Sequence, residues 1–247
     1  MKRTELIMGM PVTLEIALVK EADPFDQVFA YFKDVDERFS PYKKTSELSL
    51  LNDGKLKEPD YSADMREVLE LCSETKRISG GFFDIVKSNG RLDPSGLVKG
   101  WAINHAANLL RSMGYDNFCL EAGGDIQTSG QNEDGHPWSI GIRNPFNIEQ
   151  IVKVVELSDR AIATSGTYIR GEHIYNPLAG YVRPAGIKSL SVIGLNIFEA
   201  DRFATAAFAM GPDEGLAFIS ALPEMQAYLI GDDQSVTFTK GFEAYVA

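Results

Sequence analysis

Apolar residues recur at strand-like and helix-like spacings along the whole chain. Near the N-terminus they alternate with other residues, which predicts a long strand or a hairpin that includes Val12, Leu14, Ile16 and Leu18. A first helix is predicted after Asp23 and Pro24, with one buried face made of Phe25, Val28, Phe29, Phe32, Val35 and Phe39. The start of the chain therefore predicts strands followed by an amphipathic helix.

The same spacing predicts further helices, which alternate with short strands. They cover about 62–78, 97–113 and 200–210, with another beginning near residue 212, and glycines follow the first two. Strands are predicted in FCLE, DIQTSG, WSIGIRNP, KVVELSDRAIATSG, KSLSVIGLN, AYLI and SVTFTKGFEAYV. No flexible linker or internal repeat interrupts this order, so we expect one α+β domain over residues 1–247, with two lobes.

Composition and charge restrict the partners. The formal net charge of −11 argues against non-specific binding to nucleic acid or an anionic membrane, because both require a basic surface. Cys72 and Cys119 lack metal-type spacing and are predicted to be buried, reduced thiols. We find neither a signal-peptide core nor an apolar run that could span a bilayer, and we expect a cytoplasmic protein without membrane insertion.

A lysine stands between hydrophobic residues and a glycine at the start of the helix in LDPSGLVKGWA. This stretch does not fit a phosphate-binding P-loop, and the dinucleotide fingerprint GxGxxG is also missing. Lys99 is off the apolar stripe, so we expect its side chain to face solvent or a cleft, where a bound anion would offset its repulsion by the helix dipole. A solvated surface lysine is the simpler alternative, and Asp93 upstream suits a helix cap.

Two oxygen-bearing residues lie four positions apart in EADRFATAAFAMG. On a helix, Asp201 and Thr205 share a face and would offer a carboxylate and a hydroxyl to a hard cation such as Mg²⁺. A helix N-cap is the structural alternative for Asp201. Among the histidines, His105 is predicted to pack in the core, whereas His173 precedes a turn and could act as an acid or base in a cleft. The glycines of GGFFD and EAGGD suit turns or a close approach to a ligand.

Taken in order, these segments resemble the ApbE family of flavin transferases. The resemblance extends from Met8 to about Met210 and is carried by MGM, RFSPYKKTSELSLLN, SGGFFD, LDPSGLVKGWA, EAGGDI, AIATSGTY, HIYNPLAG and EADRFATAAFAMG. It implies a two-lobed, T-fold-like α+β architecture of mixed, mainly antiparallel sheets flanked by helices. It also implies a cleft that binds FAD.

The resemblance implies roles for individual residues. Contacts to FAD are implied for Met8, Tyr42, Phe82, Phe83, Asp84, Asp93, Lys99 and Ile174. Ligands for Mg²⁺ are implied at Asp201 and Thr205, together with the backbone carbonyls of Gly96 and Ala204. His173 is the candidate catalytic base, with a nearby carboxylate as the alternative.

The family chemistry implied here is Mg²⁺-dependent transfer of FMN from FAD to a Ser or Thr hydroxyl of an acceptor flavoprotein, with release of AMP. Two alternatives stay open: hydrolysis of FAD to FMN and AMP, and flavin binding or carriage without turnover. The chain departs from the family pattern at Asn104, Thr167, Asn176 and Ala179, and these substitutions keep the carrier alternative open.

Overall fold

Helices and strands alternate along the chain in a computed structural model that describes residues 1–18, 24–167 and 174–247. The α-helices in these ranges are α1 (Pro24–Phe39), α2 (Glu47–Asn52), α3 (Ala63–Ile78), α4 (Ser95–Ser112), α5 (Ile197–Met210) and α6 (Pro212–Ala221). The strands are β1 (Lys2–Ile7), β2 (Met10–Ile16), β3 (Phe118–Ala122), β4 (Asp125–Ser129), β5 (Trp138–Asn144), β6 (Asn147–Leu157), β7 (Ala161–Gly166), β8 (Ser189–Gly194), β9 (Gln226–Ile230) and β10 (Val236–Phe238). Short 3-10 helices cover Glu58–Asp60, Pro177–Ala179 and Phe242–Tyr245.

The main sheet has eight strands in the order β1-β2-β3-β4-β7-β8-β9-β10. Each neighbouring pair is antiparallel. Strands β5 and β6 form a separate antiparallel hairpin. The predicted α+β class, with mainly antiparallel sheets flanked by helices, is confirmed.

Hydrophobic cores lie on both faces of the main sheet. The larger core joins the inner faces of β2, β3, β7 and β8 to helices α1, α4 and α5, with Phe25, Phe29, Leu97, Trp101 and Phe208 among its buried side chains. The smaller core lies between the other face and the β5–β6 hairpin, where Trp138, Ile140 and Leu157 meet Ile162 and Ile193. The larger core fixes α4 and α5 against the sheet, and these two helices carry the site described below.

Local signals set the ends of the predicted helices. The Ser62 hydroxyl accepts a hydrogen bond of 3.1 Å from the Met65 amide and caps α3. Gly80 and Gly81 follow α3, and Gly114 follows α4, all with positive φ. The predicted bounds of these helices are confirmed to within two residues.

Four local expectations are wrong. Helix α2 was not predicted, although Ser46 caps it and Leu48 is fully buried. Helix α5 begins at Ile197, three residues earlier than expected, because the Asn196 side chain caps it. The C-terminal segment ends in a 3-10 helix that places Phe242 in the smaller core.

The fourth concerns His105, which is partly exposed rather than packed in the core. Its ring lies 4.5 Å from that of Trp101, and its Nε2 is 3.5 Å from Glu67 Oε1. The side chain retains 40% exposure, since α4 reaches the surface at this position.

None of the helices within the described ranges combines the length and the apolar composition needed to cross a bilayer.

Candidate functional site

A cavity of about 720 Å³ opens between the helices and the main sheet. Its walls come from the β1–β2 turn, the segment after α1, the loop between α3 and α4, the first turn of α4, strand β7 and helix α5. The predicted FAD and metal positions that line it are Met8, Tyr42, Phe82, Phe83, Asp84, Asp93, Gly96, Lys99, Ile174, Asp201 and Thr205. Residues from distant parts of the sequence thus share one cavity.

Two predicted positions are not placed on the cavity wall. Ala204 is fully buried in α5 and is absent from the lining, although its backbone lies next to that of Thr205. His173 lies outside the described residues, and its role as a base stays a prediction. The described chain resumes at Ile174, which does line the cavity.

Helices α4 and α5 meet closely because a glycine removes the side chain at their contact. The Gly100 amide donates a hydrogen bond of 2.8 Å to Asp201 Oδ2. A Cβ atom at Gly100 would lie only 2.6 Å from the Cβ of Asp201 and 2.8 Å from the carbonyl oxygen of Ile197. Asp201 is therefore not the helix cap, which is Asn196; it is buried in the second turn of α5 and oriented by α4.

A second contact between these helices brings two oxygen atoms together. The Thr205 Oγ1 lies 3.4 Å from the Gly96 carbonyl oxygen, to which it donates a weak hydrogen bond. With the Asp201 carboxylate one turn earlier in α5, the contact offers hydroxyl, carbonyl and carboxylate oxygens, which are the donor types that Mg²⁺ prefers. The residues therefore fit a hard cation. Among the described residues, no group of three or more His, Cys, Asp or Glu side chains forms an alternative metal site.

Lys99 belongs to a buried charge cluster and is not a solvated surface lysine. Its Nζ lies 2.5 Å from Asp125 Oδ2 and 3.8 Å from Asp201 Oδ1, and its side chain is 14% exposed. The expectation that a bound ligand supplies the negative charge opposite Lys99 is incomplete, because two protein carboxylates already do so. Lys99 nevertheless lines the cavity.

The charge cluster perturbs the Asp201 carboxyl. Burial raises the pKa of Asp201 above its ordinary value, and the neighbouring Asp125 raises it further. The Lys99 ammonium and the Gly100 amide act in the opposite direction, because both stabilise the carboxylate. The net effect raises the pKa of Asp201, so a bound cation would compete with a proton for this carboxylate.

Asp93 and Asp84 also line the cavity, each with its own partners. Asp93 Oδ1 accepts hydrogen bonds from the backbone and side chain of Ser95, at 3.1 Å for the amide, and its Oδ2 pairs with Lys87. Burial opposes ionisation of Asp93, but the bonds from Lys87 and Ser95 outweigh it and lower the pKa of Asp93. Asp84 pairs with Lys76 at 2.6 Å and accepts the Val86 amide at 3.0 Å. Asp93 thus contacts the first residue of α4, but it is not the helix cap, because the N-cap position is Pro94.

Tight turns bring the backbone to the cavity. Met8 and Gly9 join β1 to β2, and both have positive φ, which is unusual for methionine. Gly123 and Gly124 join β3 to β4 in the same way, so the EAGGD glycines form a turn. Gly123 also lines the cavity, and the turn leads directly into Asp125.

Several lining residues were missed from the sequence. Strand β7 contributes Thr164 and Ser165, and Tyr175 follows Ile174, where burial raises its pKa to about 12. Lys43 lines the cavity beside Tyr42 and bridges to Glu37 at 2.6 Å. The most consequential omission is Asp125, which is absent from the lining itself but is buried at the start of β4, where its carboxylate contacts Lys99. Its position directly after a Gly-Gly turn is the sequence signal that could have identified it.

The family can be assigned by comparison with known proteins. A model of the ApbE family matches residues 8–89 and 85–229. The chain belongs to the ApbE family. This result confirms the resemblance noted in the sequence.

Curated relatives of this ApbE chain carry the name FAD:protein FMN transferase. One from Vibrio cholerae is 35% identical over 53% of this chain and 42% of its own length. Another from Haemophilus influenzae is 24% identical over 89% of this chain and 82% of its own length. The match to the Vibrio protein thus spans less than half of that relative.

Solved ApbE structures share the fold. The flavin transferase ApbE from Vibrio cholerae superposes with a TM-score of 0.85 at 22% identity, covering 99% of this chain and 98% of its own. The ApbE protein of Thermotoga maritima gives a TM-score of 0.87 at 17% identity, covering 100% and 99% of the two chains. At these identities the likeness supports the fold alone.

Proposed function

We propose that this chain is an FAD:protein FMN transferase that requires Mg²⁺. FAD would be the donor, a Ser or Thr hydroxyl of a partner flavoprotein the acceptor, and AMP the released product. The observation that carries the proposal is the convergence of Gly96, Asp201 and Thr205 oxygens in one cavity that also presents aromatic and cationic side chains. Family membership and the names of the curated relatives support the same activity.

The lining side chains would suit the different parts of FAD. Tyr42, Phe82 and Phe83 offer aromatic surface of the kind on which flat ring systems stack. Lys99 offers an ammonium close to the cation site, where the diphosphate would lie. The cavity volume of about 720 Å³ is within the range of small-molecule pockets and would suit FAD.

Gly96, Asp201 and Thr205 would hold the Mg²⁺ ion, with the neighbouring Ala204 carbonyl as a further predicted ligand. When bound, the ion neutralises charge on the diphosphate and on the departing AMP. The Gly100 amide would keep Asp201 oriented, since it binds one carboxylate oxygen and leaves the other for the cation. Because the Asp201 carboxylate is buried, bulk water would not compete with it for the ion.

The transfer forms one bond and breaks another. The acceptor hydroxyl oxygen bonds to the phosphorus of the FMN half, and the bridging P–O bond breaks, so that AMP leaves with the bridging oxygen. The hydroxyl proton passes to a base, for which His173 is our candidate. The product is a phosphoester between FMN and the acceptor protein.

One assay separates this activity from its alternatives. The chain is incubated with FAD and Mg²⁺, with and without an acceptor carrying a Ser/Thr flavinylation motif, and AMP release and in-gel flavin fluorescence are followed. We expect AMP release and a fluorescent acceptor band in wild type, and neither after Asp201→Asn or without Mg²⁺. AMP without a labelled acceptor would indicate a pyrophosphatase, and neither product would indicate a flavin carrier. Full activity in Asp201→Asn would contradict the metal assignment.

A further inference from the structure

The buried charge cluster beside the cation site is asymmetric. The Lys99 ammonium lies within ion-pair distance of two buried carboxylates, but it contacts Asp125 at 2.5 Å and stands 3.8 Å from Asp201. The Asp125 side chain is 1% exposed and the Asp201 side chain 5% exposed. Attraction between charges is strong where side chains are buried, so it matters whether Lys99 pairs with Asp125 or with Asp201.

Asp125 is held in place by the backbone of the main sheet. It is the first residue of β4, directly after the Gly123–Gly124 turn, and its Oδ1 accepts a hydrogen bond of 3.0 Å from the Thr164 amide on β7. This bond leaves Oδ2 for the ammonium. The sheet therefore fixes the position of the Asp125 carboxylate independently of α4 and α5.

Removal of the Asp125 charge would leave Asp201 as the nearer carboxylate for Lys99. An ammonium that moved toward Asp201 would pair with the carboxylate that the cation needs. With Asp125 in place, the ammonium pairs with a carboxylate other than the one that lies beside the Gly96 and Thr205 oxygens.

We propose that Asp125 is a positioning residue that holds Lys99 away from Asp201 and so keeps Asp201 available to Mg²⁺. The inference depends on the cation site of the proposed function. It concerns metal affinity, which can be measured without any transfer of FMN.

The test measures Mn²⁺ binding to the full chain by EPR of the free ion, with and without ADP as a diphosphate that carries no FMN. Asp125→Asn keeps the size of the side chain and an acceptor for the Thr164 amide but removes the charge. We expect about tenfold weaker Mn²⁺ binding, the scale on which residues behind a metal ligand act. Unchanged Mn²⁺ affinity in a folded Asp125→Asn protein would overturn the inference.

Two further variants distinguish positioning from a general loss of charge. Asp84→Asn removes a carboxylate that lines the cavity but leaves the Lys99–Asp125 pair, and we expect a much smaller loss of Mn²⁺ affinity measured without ADP. Lys99→Met combined with Asp125→Asn removes the competing ammonium, and we expect affinity near that of wild type. An equal loss in Asp84→Asn, or no recovery in the double variant, would contradict the positioning role.

Lys99→Met alone provides a test that does not depend on the folding of Asp125→Asn. Since Lys99 is not a metal ligand in this scheme, Mn²⁺ affinity measured without ADP should not fall, and a loss of about tenfold or more would overturn the inference. Wild type that binds Mn²⁺ but transfers no FMN would refute the proposed function and leave this inference standing. If wild type transfers FMN but Asp125→Asn does not change the Mn²⁺ affinity, only the inference about Asp125 is refuted.

Discussion

The Gly100 amide and the Asp201 carboxylate join two helices through a hydrogen bond of 2.8 Å. The bond depends on the missing side chain at Gly100, since the two helices would otherwise be held apart. It orients a buried carboxylate toward the cavity that the Gly96 and Thr205 oxygens also approach. The packing of α4 against α5 and the geometry of the candidate cation site are therefore one feature.

Gly100→Ala tests the closeness of this helix contact. The added methyl would lie 2.6 Å from the Asp201 Cβ, so α5 must shift or the site must distort. Overpacking of this kind outweighs the gain in helix propensity, and we expect the free energy of unfolding to fall by about 1–2 kcal/mol. Urea unfolding measures the change, with Asn108→Ala on the exposed face of α4 as the control. A more stable Gly100→Ala protein would contradict the close contact.

Thr205 provides a test of the cation site that preserves side-chain shape. Thr205→Val removes only the hydroxyl, and we expect Mg²⁺-dependent AMP release to fall by about tenfold or more, because a ligand oxygen is lost. Thr205→Ser keeps the hydroxyl and should retain most of the activity. The Mg²⁺ concentration for half-maximal rate is the decisive measurement: equal values in the two variants would exclude the hydroxyl as a ligand.

Tyr42 allows ligand binding to be separated from folding. Its side chain is 92% exposed although it lines the cavity, so it contributes little to the core. If it stacks on FAD, Tyr42→Ala should weaken FAD binding by about tenfold and leave the melting temperature unchanged. Quenching of flavin fluorescence measures the affinity. Phe146→Ala, which removes an exposed aromatic ring outside the cavity, should change neither quantity.

Asp93 should make stability depend on pH in the acidic range. Its pKa is lowered in the folded chain, so its contribution is complete above the ordinary aspartate pKa and is lost as the pH falls through the folded value. The stability difference between wild type and Asp93→Asn should therefore shrink as the pH is lowered from about 6 to about 3. Chemical unfolding across this range measures it. In a Lys87→Met background the pH dependence should weaken, because the main partner of Asp93 is gone. An unaltered pH dependence would mean that Lys87 does not cause the lowered pKa of Asp93.

Local signals predicted much of the fold. The cap at Ser62, the glycines after α3 and α4, and the apolar spacing of α1 act within a few residues, and the corresponding elements were predicted correctly. Helix α2 escaped because it is short and most of its stabilisation comes from the core around Leu48. His105 was misplaced because apolar spacing does not show where a helix reaches the surface.

The sequence predicted many residues of the site but not how they pair. Resemblance to the family identified residues that do line the cavity, but the partner of Lys99 could not be read from its own segment. Asp125 is far from Lys99 in sequence and meets it only through the pairing of β4 with β7 and the packing of α4 on the sheet. Contacts of this kind depend on topology, which spacing along the chain does not encode.

The contact between Gly96 and Thr205 joins positions 109 residues apart, and that between Gly100 and Asp201 joins positions 101 apart. A chain emerging from the ribosome will have made α1, α3 and α4 long before α5 exists. Contacts between such distant segments form slowly, because a long loop must close first. Tyr42, Phe82 and Phe83 are thus synthesised early, but the carboxylate of Asp201 and the hydroxyl of Thr205 are added only late in synthesis. Chains that end before α5 would therefore be unable to form the candidate cation site.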